Sequence, residues 1–126
     1  MKEIKLITFD LDDTLWDNVP TIKRAELETR RWIEEKVGKV EWGDFNDFLS
    51  LREELIKEDP VIEWDISKLR KEIFRRKLCH VSPISLRDEI VEDAFNIFIN
   101  KWHEIILFDG VENALSFLSK KYSLGV

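Results

Sequence analysis

The sequence has one cysteine, two histidines and fewer basic than acidic residues, and each shortage removes a class of protein. With Cys79 alone, no intrachain disulfide can form, which suits a reducing compartment and makes the cytoplasm the expected location. Cys79 also lacks a positioned His and acid that would make it a nucleophile, so it reads as buried filler. His80 and His103 have no partner at metal-ligand spacing and read as ordinary surface or core residues. No stretch approaches the roughly 20 apolar residues of a bilayer span, and the opening MKEIKLITFD carries no signal-peptide cleavage pattern. Lys and Arg number 20 against 26 Asp and Glu, a formal net charge of −6. That balance argues against a nucleic-acid partner, because phosphate neutralisation needs a basic face. No membrane partner is expected either. Internal repeats, low-complexity tracts and flexible linkers are also missing.

What is present is organised around Ile4–Asp17, reading IKLITFDLDDTLWD. Leu6, Ile7 and Phe9 form the apolar run of a parallel strand expected to be buried on both faces. The run stops at Asp10, Asp12 and Asp13, with Thr14 beside them. Clustered acids suit the carboxyl edge of an open α/β sheet, where ligands bind. Their mutual repulsion calls for a cation or a proton among them. A calcium loop also spaces acids by two, but Leu15 stands where that loop needs Gly and Thr21 where it needs Glu. Asp13 reads as structural or solvated.

Helical spacing dominates the chain beyond Asp17. Pro20 suits the first position of a helix carrying Ile22, Ala25, Trp32, Ile33 and Val37, with Gly38 placed to end it. Asp44 is the expected cap of a second helix with Phe45, Phe48, Leu49, Leu55 and Ile56 as its stripe, stopping before Pro60. Asp65 or Ser67 starts a third, through Leu69 and Ile73. Ser85 with Asp88 starts a fourth, whose Ile90, Val91, Ala94, Phe95, Phe98 and Trp102 cover much of its circumference, as at the centre of a small bundle. Trp32 belongs with that core. The basic run Lys68, Arg70, Lys71, Arg75, Arg76 and Lys77 reads as a solvated helix face, with attraction of phosphorylated substrates as the sharper alternative. Asp109-Gly-Val-Glu112 resembles a capping box opening a helix through Val111, Ala114, Leu115 and Leu118. Tyr122–Val126 reads as a second buried strand.

The expected fold is therefore α/β: residues 1–19 as core strand and acidic loop, 20–102 as a four-helix cap inserted after that strand and placed to cover the loop as a lid, and 103–126 as the return to the core. Two strands joined through one helix cannot cover a sheet's faces or satisfy its edges. A truncated sequence is expected on that ground, poorly stable in isolation and prone to associate through the unfinished sheet.

Asp10-Leu11-Asp12-Asp13-Thr14 after an apolar strand resembles the first motif, Asp-x-Asp-x-Thr, of the haloacid dehalogenase-like hydrolases. The inserted helices and the return FDGVENALSFLSKKYSLGV are similar to that superfamily too. The resemblance covers the whole chain and the first half or so of a typical member, and implies a Rossmann-like core, incomplete here, with a helical cap. It further implies that Asp10 is a nucleophile attacking phosphorus to form an aspartyl-phosphate. Mg²⁺ would neutralise the anions, held by the Asp10 carboxylate and the Asp12 backbone carbonyl. Asp12 would protonate the leaving alkoxide and then deprotonate the attacking water. Thr14 would hold Asp12 through its hydroxyl.

The dehalogenases of the superfamily lack an acid at the position of Asp12, since a departing halide needs no proton; a small-molecule phosphate ester is the implied substrate. A typical member adds a phosphate-binding Thr or Ser, a Lys and a distal metal-binding acid, none identified here, so this chain alone is expected to have little activity. DNVPTIKRAE and EDPVIEWDISKLRKEIFRR look like a bacterial branch acting on FMN and on 5-amino-6-(5-phospho-D-ribitylamino)uracil. Trp16, Asn18, Trp64 and Arg70 are the residues expected to face the leaving group. A non-catalytic binding or assembly protein of this fold, and a dehalogenase, stay open as alternatives, as does the oligomeric state.

Overall fold

The structure, a computed structural model, describes residues 2–126. It orders them as β1 (Leu6–Thr8), α1 (Asn18–Val37), α2 (Phe45–Glu58), a 3-10 turn (Pro60–Glu63), α3 (Ile66–Lys77), α4 (Ile84–Trp102), α5 (Val111–Ser119) and β2 (Ser123–Gly125). The expected order of strand, four helices, helix and strand is found, with the 3-10 turn added. Among the described residues no helix is long and apolar enough to cross a membrane.

Among the described residues every buried side chain belongs to the helical insertion. α4 lies between α1 and α3 and buries Ile90, Val91, Ala94 and Phe98, as its all-round apolar pattern predicts. The face that α1 turns toward the core keeps Ala25 and Ile33 of the expected stripe and adds two threonines. Its buried stripe is Thr21, Ala25, Thr29 and Ile33, one residue per turn. Both threonines are accommodated because their hydroxyls donate back to the chain, Thr29 to the Ala25 carbonyl at 2.7 Å and Thr21 to that of Asp17 at 3.3 Å. α2 also departs from expectation. Leu55 is buried against Ile62 and Leu69, while Phe45 is 71% exposed and stacks on Phe48 with ring centroids 6.1 Å apart. The exposed Cys79 corrects its reading as buried filler.

The helix starts show which local signals prevail. Asp44 forms a reciprocal capping box: Asp44 Oδ1 accepts the Asp47 N–H at 3.0 Å, and Asp47 Oδ2 accepts the Asp44 N–H at 2.8 Å. Asp65, rather than Ser67, caps α3 by accepting the Lys68 N–H at 2.9 Å. α1 begins two residues before Pro20, with Asp17 as its cap; Pro20 still falls in the first turn, where its missing N–H costs nothing. The Ser85–Asp88 start is not used: Pro83 is the N-cap without a side-chain bond, and Asp88 accepts from Arg75 Nε at 3.0 Å instead. Nor does the Asp109–Glu112 box form, since the N-cap of α5 is Gly110 at φ +82°.

The sheet is two parallel strands in the register Leu6↔Ser123, Ile7↔Leu124 and Thr8↔Gly125. β1 is not buried on both faces as expected: Leu6 is 59% exposed. Among the described elements β1 packs on β2 alone, and β2 adds only α5, so no layer covers either strand's apolar side chains on both sides.

Candidate active site at the acidic strand edge

The pairing of β1 with β2 ends where the Phe9 N–H donates to the Gly125 carbonyl at 3.0 Å. Asp10 follows at once, exposed at the carboxyl edge. The chain then folds back on itself. The Leu11 carbonyl accepts from Thr14 at 3.2 Å and from Leu15 at 2.9 Å, and the Trp16 carbonyl accepts from Asp13 at 2.7 Å. Asp13 takes φ +60°, a left-handed conformation that Asp tolerates better than most residues. Its Oδ1 accepts the Asn18 N–H at 3.0 Å, so Asp13 is structural: it ties the acidic loop to the start of α1.

Trp16 sits at the middle of this loop. Its backbone bridges Asp12 on one side and Leu107 on the other, and the Phe108 N–H donates to the Leu15 carbonyl at 2.9 Å. The segment returning from the helical insertion thus pins the loop that precedes it. The Trp16 indole N–H donates to Asp12 Oδ1 at 3.0 Å. Thr14 is exposed; among the described residues the hydrogen bond on Asp12 comes from Trp16, not from the Thr14 hydroxyl. Asp10 and Asp12 therefore stand together on one exposed loop, with Asp12 tethered through one oxygen.

The other residues expected to face a leaving group are distributed differently. Asn18 is beside the loop, but its side-chain oxygen accepts the Trp102 indole N–H at 2.7 Å. Trp64, the C-terminal cap of the 3-10 turn, is 85% exposed. Arg70 is spent inside the insertion. It pairs with Glu26 and lies over the Phe98 ring, 3.7 Å from the centroid; burial pushes its guanidinium down against the raising effect of Glu26. The rest of the basic run is laced with acids rather than merely solvated: Lys68 to Asp59 at 2.6 Å, Lys71 to Glu92 at 2.7 Å, Arg75 to Asp88, and Arg76 to Glu58. Sequence reasoning missed Leu107 and Phe108 as loop partners, because nothing in a short apolar run announces which distant backbone it will pair with.

The donors offered here are hard oxygens: the Asp10 carboxylate and the backbone carbonyl of Asp12. That is the set Mg²⁺ takes. Among the described residues no three His, Cys, Asp or Glu side chains gather at metal-binding distance, so the loop fits as part of an octahedral shell rather than the whole of one.

No family model matches the chain. A curated relative, the 5-amino-6-(5-phospho-D-ribitylamino)uracil phosphatase YigB of Escherichia coli K12, is 34% identical over 67 residues, 53% of this chain and 28% of the relative. A solved structure, the 2-haloacid dehalogenase of Pseudomonas syringae pv. tomato DC3000, superposes with a TM-score of 0.78 at 33% identity, over 98% of this chain and 54% of that one. The chain thus spans about half the length of the solved relative. An acidic loop at the end of the first strand, a helical insertion directly after it, and this superposition over nearly the whole chain show a haloacid dehalogenase-like fold.

Proposed function

We propose that these residues supply the nucleophile, the acid–base group and the cap of a Mg²⁺-dependent phosphatase acting on a small-molecule phosphate monoester. The observation that carries this reading is the placing of a second carboxylate, Asp12, beside Asp10 on the exposed loop beyond β1, tethered by a hydrogen bond. In the first step an Asp10 oxygen attacks phosphorus, and the ester P–O bond breaks. The leaving oxygen takes its proton from Asp12. In the second step Asp12 accepts a proton from the water that attacks the aspartyl-phosphate, releasing Asp10 and inorganic phosphate. Bound at the Asp10 carboxylate and the Asp12 carbonyl, Mg²⁺ would offset the repulsion between carboxylate and phosphoryl group.

The curated relative's name makes 5-amino-6-(5-phospho-D-ribitylamino)uracil the first ester to try, and the resemblance of the cap segments adds FMN. Trp64 is the expected leaving-group residue whose ring is still free to meet such a heterocycle. The substrate, the metal and a cytoplasmic setting all belong to this proposal.

The test is phosphate release from FMN and from p-nitrophenyl phosphate by the full-length protein with Mg²⁺. Turnover should vanish in Asp10→Asn and on chelation of the metal. Activity surviving Asp10→Asn removes Asp10 from its role. A second reading, carbon–halogen hydrolysis, draws on the solved relative, a 2-haloacid dehalogenase; Asp12 has no proton to deliver in that reaction. Halide release from a 2-haloacid, with no phosphate release from any ester, would favour it.

A further inference from the structure

The Asp12 carboxylate has two oxygens, and the loop treats them differently. Oδ1 accepts the Trp16 indole N–H at 3.0 Å. Trp16 itself is half-buried and held on both sides by backbone, through its bridges to Asp12 and Leu107 and through its carbonyl, which accepts the Asp13 N–H at 2.7 Å. Its indole has one donor and no acceptor, and that donor is committed to Asp12. It therefore cannot be offered to a substrate. A carboxylate held by one oxygen on a ring whose backbone is clamped has lost most of its rotational freedom. Its other oxygen is fixed in direction as well.

We propose that Trp16 is a positioning residue that holds Asp12 by Oδ1 and reserves Oδ2 for the proton. This rests on the phosphatase reading. In the first step Oδ2–H delivers its proton to the ester oxygen as the P–O bond to the leaving group breaks and the bond from Asp10 to phosphorus forms. In the second step Oδ2 takes a proton from water as that water bonds to phosphorus and the Asp10–phosphorus bond breaks. Through both, the Trp16 N–H stays on Oδ1, exchanging no proton and touching no substrate. Rotation of an untethered Asp12 would point the proton away from the leaving oxygen in much of the population, and proximity and orientation account for a large share of catalytic rate.

Trp16→Phe keeps an aromatic ring at the clamp and deletes only the donor. In the full-length protein, the substitution should slow alkyl phosphates, whose leaving alkoxide needs a proton, by roughly 10-fold or more in kcat/KM. It should slow p-nitrophenyl phosphate, whose leaving group departs as a stable anion, much less. KM should change little for either. A separate arm needs no turnover. The Trp16 indole N–H signal of the ¹⁵N-labelled full-length protein, identified by its disappearance in Trp16→Phe, should move upfield in Asp12→Ala as the hydrogen bond is lost. An indole signal unmoved by Asp12→Ala, or equal slowing of alkyl and nitrophenyl esters in Trp16→Phe, overturns the proposal. If the unsubstituted protein turns over no ester at all while the indole signal does respond, the phosphatase reading fails and takes this role for the contact with it.

Discussion

Trp102 and Asn18, 84 positions apart, are joined by a hydrogen bond from the indole N–H to the side-chain oxygen at 2.7 Å. Asn18 is the first residue of α1 and Trp102 the last of α4, so the two ends of the helical insertion meet in one contact. The Asn18 N–H continues the connection to Asp13 in the acidic loop. Asn18→Ala and Trp102→Phe should each lower stability by about 1 kcal/mol, and the double variant should show a coupling of about 0.5–1.5 kcal/mol. Urea unfolding of the four proteins measures it, and strict additivity would mean that the ends are not tied through this bond.

Arg70 connects three helices. From α3 it reaches Glu26 on α1 and covers Phe98 on α4. Its side chain is 19% exposed and that of Glu26 27% exposed, so the pair is neither free in water nor fully buried. Glu26 keeps a second partner, Arg30, at 2.9 Å. Arg70→Ala should therefore cost about 1–3 kcal/mol, below the full cost of stranding a buried charge. Arg70→Lys should recover less than half of it, because an ammonium can neither lie flat on Phe98 nor bond through a fork. Full recovery in Arg70→Lys would show that charge alone matters there.

The cap of α2 makes stability depend on pH in a defined direction. The backbone N–H of Asp47 holds the Asp44 carboxyl below its ordinary value of 3.8. Asp59 is lowered likewise by its bond to Lys68. An acid depressed in the folded state adds stability that is complete above its unfolded value and is lost as pH falls through the folded one. The chain should accordingly lose stability as pH drops below about 3.8. Asp44→Asn, which cannot titrate, should be less stable than the parent at neutral pH, and the gap should close on acidification. A gap that stays constant across the titration would refute the cap's contribution to acid sensitivity.

The acidic loop and the helices could be read from residues because their signals are local. Apolar spacing, an Asp before a helix, and acids directly after a strand each act within a few positions. The errors arose where a distant partner decided. Thr21 and Thr29 look polar in the sequence, yet they are buried because each hydroxyl is satisfied by a carbonyl four residues earlier. Arg70, expected to face a leaving group, pairs instead with Glu26, 44 residues earlier. Leu6 and Phe9 have the pattern of a buried strand, but pattern records what a face could bury and not what covers it. The link between Trp16 and Asp12 spans four residues and was within reach of sequence reasoning; it was missed because a Trp beside a phosphate motif suggests a stacking surface rather than a donor.

Gly38 allows backbone strain to be separated from crowding. It ends α1 at φ +83° and ψ −171°, a region essentially closed to L residues, while its N–H donates to the Glu34 carbonyl at 2.9 Å. A Cβ built there would meet nothing within 4 Å, so any loss on substitution must come from the backbone. Gly38→Ala carries a strain of about 1–3 kcal/mol, offset by about 0.4–1 kcal/mol from the smaller conformational freedom of the unfolded chain. A net destabilisation of about 0–2.6 kcal/mol should result. D-alanine at position 38, introduced by chemical ligation, reverses the sign. Its mirror-image preferences match the observed angles, and it restricts the unfolded chain as L-alanine does. It should stabilise by about 0.4–1 kcal/mol. Urea unfolding of the two alanine proteins beside the parent decides the matter, since backbone strain harms only the L form and a loss in both would refute it.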